Sequence, residues 1–171
     1  AQDNSTKLAT TAYVDGKMVL GTAVNSTSGT AIDFTGIPSW AKRITVMFRG
    51  VSTNGASIPM VQLGISSGIE TSGYLGAAWT DGNASALNHS NGFLLANTHA
   101  STTIFHGKME LCLMGSNIWT ESARNALSNN IILISSAGSK ALAGTLDRIR
   151  ITTANGTDTF DAGSINILYE G

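Results

Sequence analysis

The sequence predicts an all-β fold, an antiparallel β-sandwich of jelly-roll-like type preceded by a short N-terminal helix. Three observations carry that prediction. Ser, Thr, Asn and Gly supply 71 of the 171 residues, a composition suited to turns and strand surfaces rather than to helices. Charged residues make up only 12%, so the salt-bridged faces of a helical bundle have no material. From Ala31 onward the apolar residues recur with a period of two.

The opening residues read differently from the rest. Thr10 or Thr11 can cap a helix over residues 12–20, whose apolar positions Leu8, Ala12 and Val19 fall near heptad spacing. So short a helix is stable only against partners, as in the last turns of a small parallel coiled coil. Gly21 stops it, and Asn25-Ser26-Thr27-Ser28-Gly29 reads as a joint. The division expected is therefore residues 1–24 as a helical base and residues 25–171 as the sandwich.

Within the sandwich, Ile44, Val46 and Phe48 alternate with Thr45, Met47 and Arg49, and Ser52-Thr53-Asn54-Gly55 reads as a hairpin turn into residues 58–65. Further strands are expected over residues 74–80, 93–97, 103–114, 130–135, 144–153 and 164–170. In the last two, Ile149 and Ile151 oppose Arg148 and Arg150, and Ile165, Ile167 and Tyr169 repeat the pattern. Residues 119–127 are the one other place where the composition permits a short helix. Eight or nine strands of this kind, about 8–12 residues apart, specify two packed antiparallel sheets.

The formal net charge is −1, and no stretch gathers the Lys/Arg cluster that a phosphate backbone demands, which argues against a nucleic-acid partner. No apolar run approaches the ~20 residues of a membrane span, so no membrane insertion is expected. The lone Cys112, placed between Leu111 and Leu113 and so expected inside, forms neither a disulfide nor a multi-cysteine metal site. Stability must then come from packing or from subunit association.

Chemical motifs are weak. Gly64-Ile65-Ser66-Ser67-Gly68 matches a nucleophile elbow in letters, but β-like residues follow where a helix is required, so it reads as a turn. His89, His99 and His106 lack the spacing that sets two metal ligands on one face; a metal on a three-fold axis, with one His from each subunit, would have His106 as its candidate. Asp158 and Asp161 beside Gly156 and Gly163 read as turn residues rather than a catalytic pair. No catalytic residue, metal or cofactor is predicted. The polar stretch 81–102 is the natural place for binding residues on such a scaffold. Its Asp81, Asn83, His89 and Asn91, with Trp79 leading into it and Trp119 opening the irregular segment, form the candidate binding set. Asn and Asp take hydroxyls while a Trp stacks on a sugar ring. Trp40, after Ile37-Pro38-Ser39, reads as structural.

Three stretches carry a resemblance. The opening DNSTKLATTAYVDGKM resembles segments that recur along the shafts of tail fibres of tailed bacteriophages and prophages. FTGIPSWAKRITVMFRGVSTNG and AGSKALAGTLDRIRITTANGTDTFDAGSINILYEG resemble the blocks that open and close the C-terminal domain of many such fibres. The resemblance implies a homotrimeric receptor-binding tip at the distal end of a virion fibre. It would attach without enzymatic activity to a host-surface glycan (lipopolysaccharide or capsule) or outer-membrane protein. It lacks the His-x-His repeats that hold metal along some fibre axes. The alternative is a structural trimerisation cap, with receptor contact made elsewhere; a depolymerase would need a carboxylate pair that is not evident.

Overall fold

The computed structural model describes residues 17–171, and every regular element among them is a strand. In chain order these are β1 (Met18–Leu20), β2 (Val24–Asn25), β3 (Ala31–Thr35), β4 (Arg43–Thr53), β5 (Pro59–Ile65), β6 (Gly68–Ile69) and β7 (Tyr74–Thr80). There follow β8 (Leu87–Asn88), β9 (Phe93–Leu94), β10 (Phe105–Gly115), β11 (Ile118–Leu127), β12 (Ile132–Ala141), β13 (Arg148–Thr153) and β14 (Phe160–Glu170). A 9-stranded antiparallel sheet runs β1-β14-β4-β10-β11-β12-β7-β8, with β2 also on β14. A 5-stranded sheet runs β3-β13-β5-β6, with β9 on β5.

The period of two explains how these sheets find each other. Ile44, Val46 and Phe48 of β4, Met109 and Leu111 of β10, and Ile165 and Ile167 of β14 point inward from the larger sheet. They join one cluster with Ile32 and Phe34 of β3, Val61 and Leu63 of β5, and Ile149 and Ile151 of β13. Fully buried side chains of this size contribute about 1.5–3 kcal/mol each, which outweighs the ordering of their strands. Where β4 and β14 slip register, Gly50 (φ 66°) and Gly163 (φ 96°) meet backbone to backbone, and a Cβ on Gly163 would collide with the Gly50 carbonyl.

Four expectations are corrected. Met18–Leu20, the end of the expected helix, is an edge strand paired with Glu170, Tyr169 and Leu168; the rest of that helix lies mostly outside the described residues. Residues 119–127 are not helical but belong to β11, held between β10 and β12. Its inward positions are Trp119, Glu121, Ala123, Asn125 and Leu127, so two polar residues on the buried face disguised the alternation. The turn after β4 makes no hairpin: β4 lies in the larger sheet and β5 in the smaller, so residues 54–58 carry the chain across the sandwich. Cys112 is exposed, because Leu111 takes the inward position beside it. The elbow-like segment is the tight turn between β5 and β6, with Ile65 opposite Gly68.

Polar anchors tie the loops. Lys140 of β12 is buried and donates to Glu70 Oε2 at 2.5 Å and to the Ala141 carbonyl at 2.7 Å, while the Ala143 N–H donates to Glu70 Oε1 at 2.9 Å. Burial pushes the Glu70 carboxyl up, but these hydrogen bonds and the Lys140 charge outweigh it and hold it below its ordinary value. Asp158 is held low by the Asn155 amide and the Ser57 N–H. His99, stacked on Phe105 and hydrogen-bonded to Thr53, is pushed down by burial against the opposing charges of Asp158 and Asp161. All three shifts carry one sign for stability. A depressed carboxyl stabilises the fold above its unfolded pKa and stops doing so as pH falls through its folded pKa. A depressed His likewise favours the unfolded state below 6.5. Urea titrations from pH 7 downward should therefore show a monotonic loss of stability. Glu70→Gln should flatten the decline below about pH 4.5.

Candidate functional site

Strand β7 alternates, and its outward residue Trp79 lies opposite Ser135 of β12, which in turn lies opposite Arg124 of β11. The small Ser135 between two large side chains leaves a shallow hollow of about 170 Å³, lined by Trp79, Asp81, Arg124, Leu133, Ile134 and Ser135. The Trp79 indole N–H donates to the Asn83 carbonyl at 3.1 Å, which fixes the ring while leaving it 39% exposed. Gly82, at φ 85°, makes the turn that brings Asn83 back, and the Asn83 N–H closes it on the Thr80 carbonyl at 3.1 Å. The Asn83 amide then donates to Asn97 Oδ1 at 2.8 Å, and the Asp81 N–H donates to the Leu133 carbonyl at 2.9 Å.

Trp79, Asp81 and Asn83 are thus brought together as the sequence predicts. Two residues join them that sequence reasoning missed, Arg124 and Leu133. Reading residues 119–127 as a strand would have placed Arg124 outward; nothing in the sequence specifies its row opposite Trp79. Neither Arg124 nor Asp81 makes an ion pair with another described residue. An aromatic face, an aliphatic neighbour and two free charges of opposite sign are what a pyranose ring with its C–H face and hydroxyls engages.

The other three candidates lie elsewhere. Asn91, in the loop before β9, lies against the smaller sheet, where its carbonyl accepts from Gln62 Nε2 at 2.8 Å, beside Arg150 and Thr152. His89 is buried between the sheets. Its ring lies over Gly76 and Gly138, its Nδ1 accepts the Leu94 N–H at 3.0 Å, and its edge packs on Phe93 at 5.6 Å between centroids. Since Nδ1 is an acceptor, Nε2 carries the proton and faces Glu121 Oε2 at 3.7 Å; Glu121 Oε1 accepts from Ser136 at 2.6 Å. His89 therefore latches the 81–92 segment to the sheet rather than meeting a partner. Trp119 is 2% exposed and lines an internal recess, so it offers no stacking face to the surface. Trp40 packs half-buried against the core, as expected. Asp161 accepts from Ser52, and Asp158 serves its turn. Among the described residues no three His, Cys, Asp or Glu side chains converge on a metal position. No protein-family model matches the chain, and no match is found among curated proteins.

Proposed function

We propose that the chain is the receptor-binding tip of a bacteriophage or prophage tail fibre, a homotrimer on the virion that attaches to a glycan of the host surface through the Trp79 hollow. The observation that carries this reading is the exposed indole held by Asn83, in one hollow with Arg124 and Asp81, neither of which is ion-paired among the described residues. Three such heads on one fibre would convert weak single contacts into avidity. The test is staining of a panel of Gram-negative strains by the labelled protein. Trp79→Ala should reduce binding by about 30-fold or more, as loss of an aromatic hot spot does, with the fold intact. Asn91→Ala, on the other sheet, should bind as the parent. Unchanged attachment by both Trp79→Ala and Arg124→Ala would overturn the assignment.

One observation favours the trimerisation cap as the second reading. The edge strand β1 exposes Met18 by 59% and Leu20 by 63%, with Val24 beside them, an apolar edge suited to association with copies of itself. Under that reading a folded, trimeric protein stains no strain.

A further inference from the structure

The turn that carries the exposed indole has little to hold it. Residues 81–88 are all exposed, between Thr80 at 2% exposure and His89 at 5%. A segment in this position gains little from the core, so hydrogen bonds set its shape. Strand β8 pairs its far end with Ala77 and Ala78, and the Asn83 N–H closes its near end on the Thr80 carbonyl. Between these, the only side chain from beyond β8 that hydrogen-bonds residues 82–86, among the described residues, is that of Asn97.

Asn97 spends three groups on this one turn. Its Oδ1 accepts from the Asn83 amide at 2.8 Å, its Nδ2 donates to the Ser85 carbonyl at 2.5 Å, and its N–H donates to the Thr80 hydroxyl at 3.4 Å. An acceptor and a donor on one short side chain are what a carboxamide supplies and a carboxylate does not. The residue is itself anchored. Residues 93–96 before it are buried to 5% exposure or less, β9 pairs with β5, and the Leu95 N–H donates to the Pro59 carbonyl at 2.9 Å. Asn97 thus clasps a turn of the larger sheet to a segment fixed on the smaller one.

We infer that Asn97 is the positioning residue of the Trp79 hollow, an inference that rests on the reading of that hollow as the receptor contact. It acts through Asn83, whose carbonyl holds the indole at 3.1 Å. A stacking face that stands in its bound position before contact loses no affinity to conformational search. With the clasp cut, that position becomes one of several, and the apparent Kd rises in inverse proportion to its population.

The test follows the three tryptophan indole signals of the ¹⁵N-labelled protein, together with staining of a strain that the labelled parent binds. In Asn97→Ala the Trp79 indole N–H should exchange with solvent at least about fivefold faster, while the Trp40 and Trp119 signals stay in place. Attachment should weaken about three- to tenfold, less than in Trp79→Ala. Asn83→Ala keeps the carbonyl but cuts the same link from the other end. It should also loosen the indole, and the two changes together should act by less than the product of their separate effects. A Trp79 indole that exchanges as in the parent would overturn the proposal, whatever the protein binds. So would displacement of all three indole signals, which reports a general loosening of the fold, or a loosened indole in a protein that attaches as the parent while Trp79→Ala does not. A loosened indole with Asn97→Ala and Trp79→Ala both attaching as the parent would leave the clasp standing and overturn the receptor reading instead.

Discussion

Glu121→Ala should lower the unfolding free energy by about 3 kcal/mol or more, the usual cost of removing one member of a buried polar pair. In a domain of this size that corresponds to a fall in melting temperature of about 10 °C. The reason is local. With the carboxylate gone, His89 Nε2 loses the carboxylate that faces it at 3.7 Å, where both side chains are fully buried, and the Ser136 hydroxyl loses its hydrogen-bond acceptor. Glu121→Gln preserves an acceptor at the same reach and should recover more than half of the loss. Urea unfolding followed by tryptophan fluorescence separates these cases, since a changed midpoint at constant m reports stability alone. If Glu121→Ala unfolds at the parental urea concentration, the latch contributes nothing.

Gly76→Ala should be of similar severity, for a different reason. Gly76 adopts φ +139°, a region that side chains avoid, and a Cβ there would lie 2.7 Å from the His89 ring and collide with the Ala137 carbonyl. Strain and overpacking each cost about 1–3 kcal/mol. Gly138, directly opposite, would bring its Cβ to 2.9 Å from the same ring and against the Leu75 carbonyl. The two glycines form the trough in which the imidazole lies. Combining Gly138→Ala with His89→Ala should therefore be less damaging than the sum of the single changes, by about 1 kcal/mol, because the ring that the new methyl would strike has gone. Strict additivity would show that the trough does not serve the ring.

Much of the fold is legible in the residues themselves. Strand β7 over residues 74–80 follows from its composition, and the inward isoleucines of β13 and β14 from strict alternation. What escapes is whatever alternation does not mark. Strand β11 buries Glu121 and Asn125, so its pattern reads as amphipathic in the wrong period. The turn after β4 contains ordinary hairpin residues, yet the partner strands for β4 come from residues 105–115 and 160–170, and nothing near the turn announces that. The binding set shows the same divide. Trp79, Asp81 and Asn83 are close in sequence and close in space, held by a single tight turn. Arg124 and Leu133 join them only through strand register. His89 and Asn91 share the same polar stretch, but the His89 ring turns into the core to pack edge-on against Phe93, while, two residues on, the Asn91 carbonyl meets Gln62 of the smaller sheet.

The strand order has a consequence for how the chain acquires its shape. In the larger sheet β14 lies between β1 and β4, and in the smaller sheet β13 lies between β3 and β5. Strands β1, β3 and β4 thus wait for a neighbour encoded more than a hundred residues later, as in the pairing of Met18 with Glu170 or Ile32 with Ile151, and β5 waits nearly as long, as in the pairing of Pro59 with Thr153. During synthesis, β1, β3, β4 and β5 emerge with open edges and no central partner, so neither sheet can close until residues 148–170 have left the ribosome. Contact order this high places folding at the slow end, in milliseconds to seconds. Asp33 of β3 and Arg43 and Arg49 of β4 then acquire a kinetic role, as charges that keep these otherwise apolar, unpaired strands of a nascent chain from adhering to others while they wait.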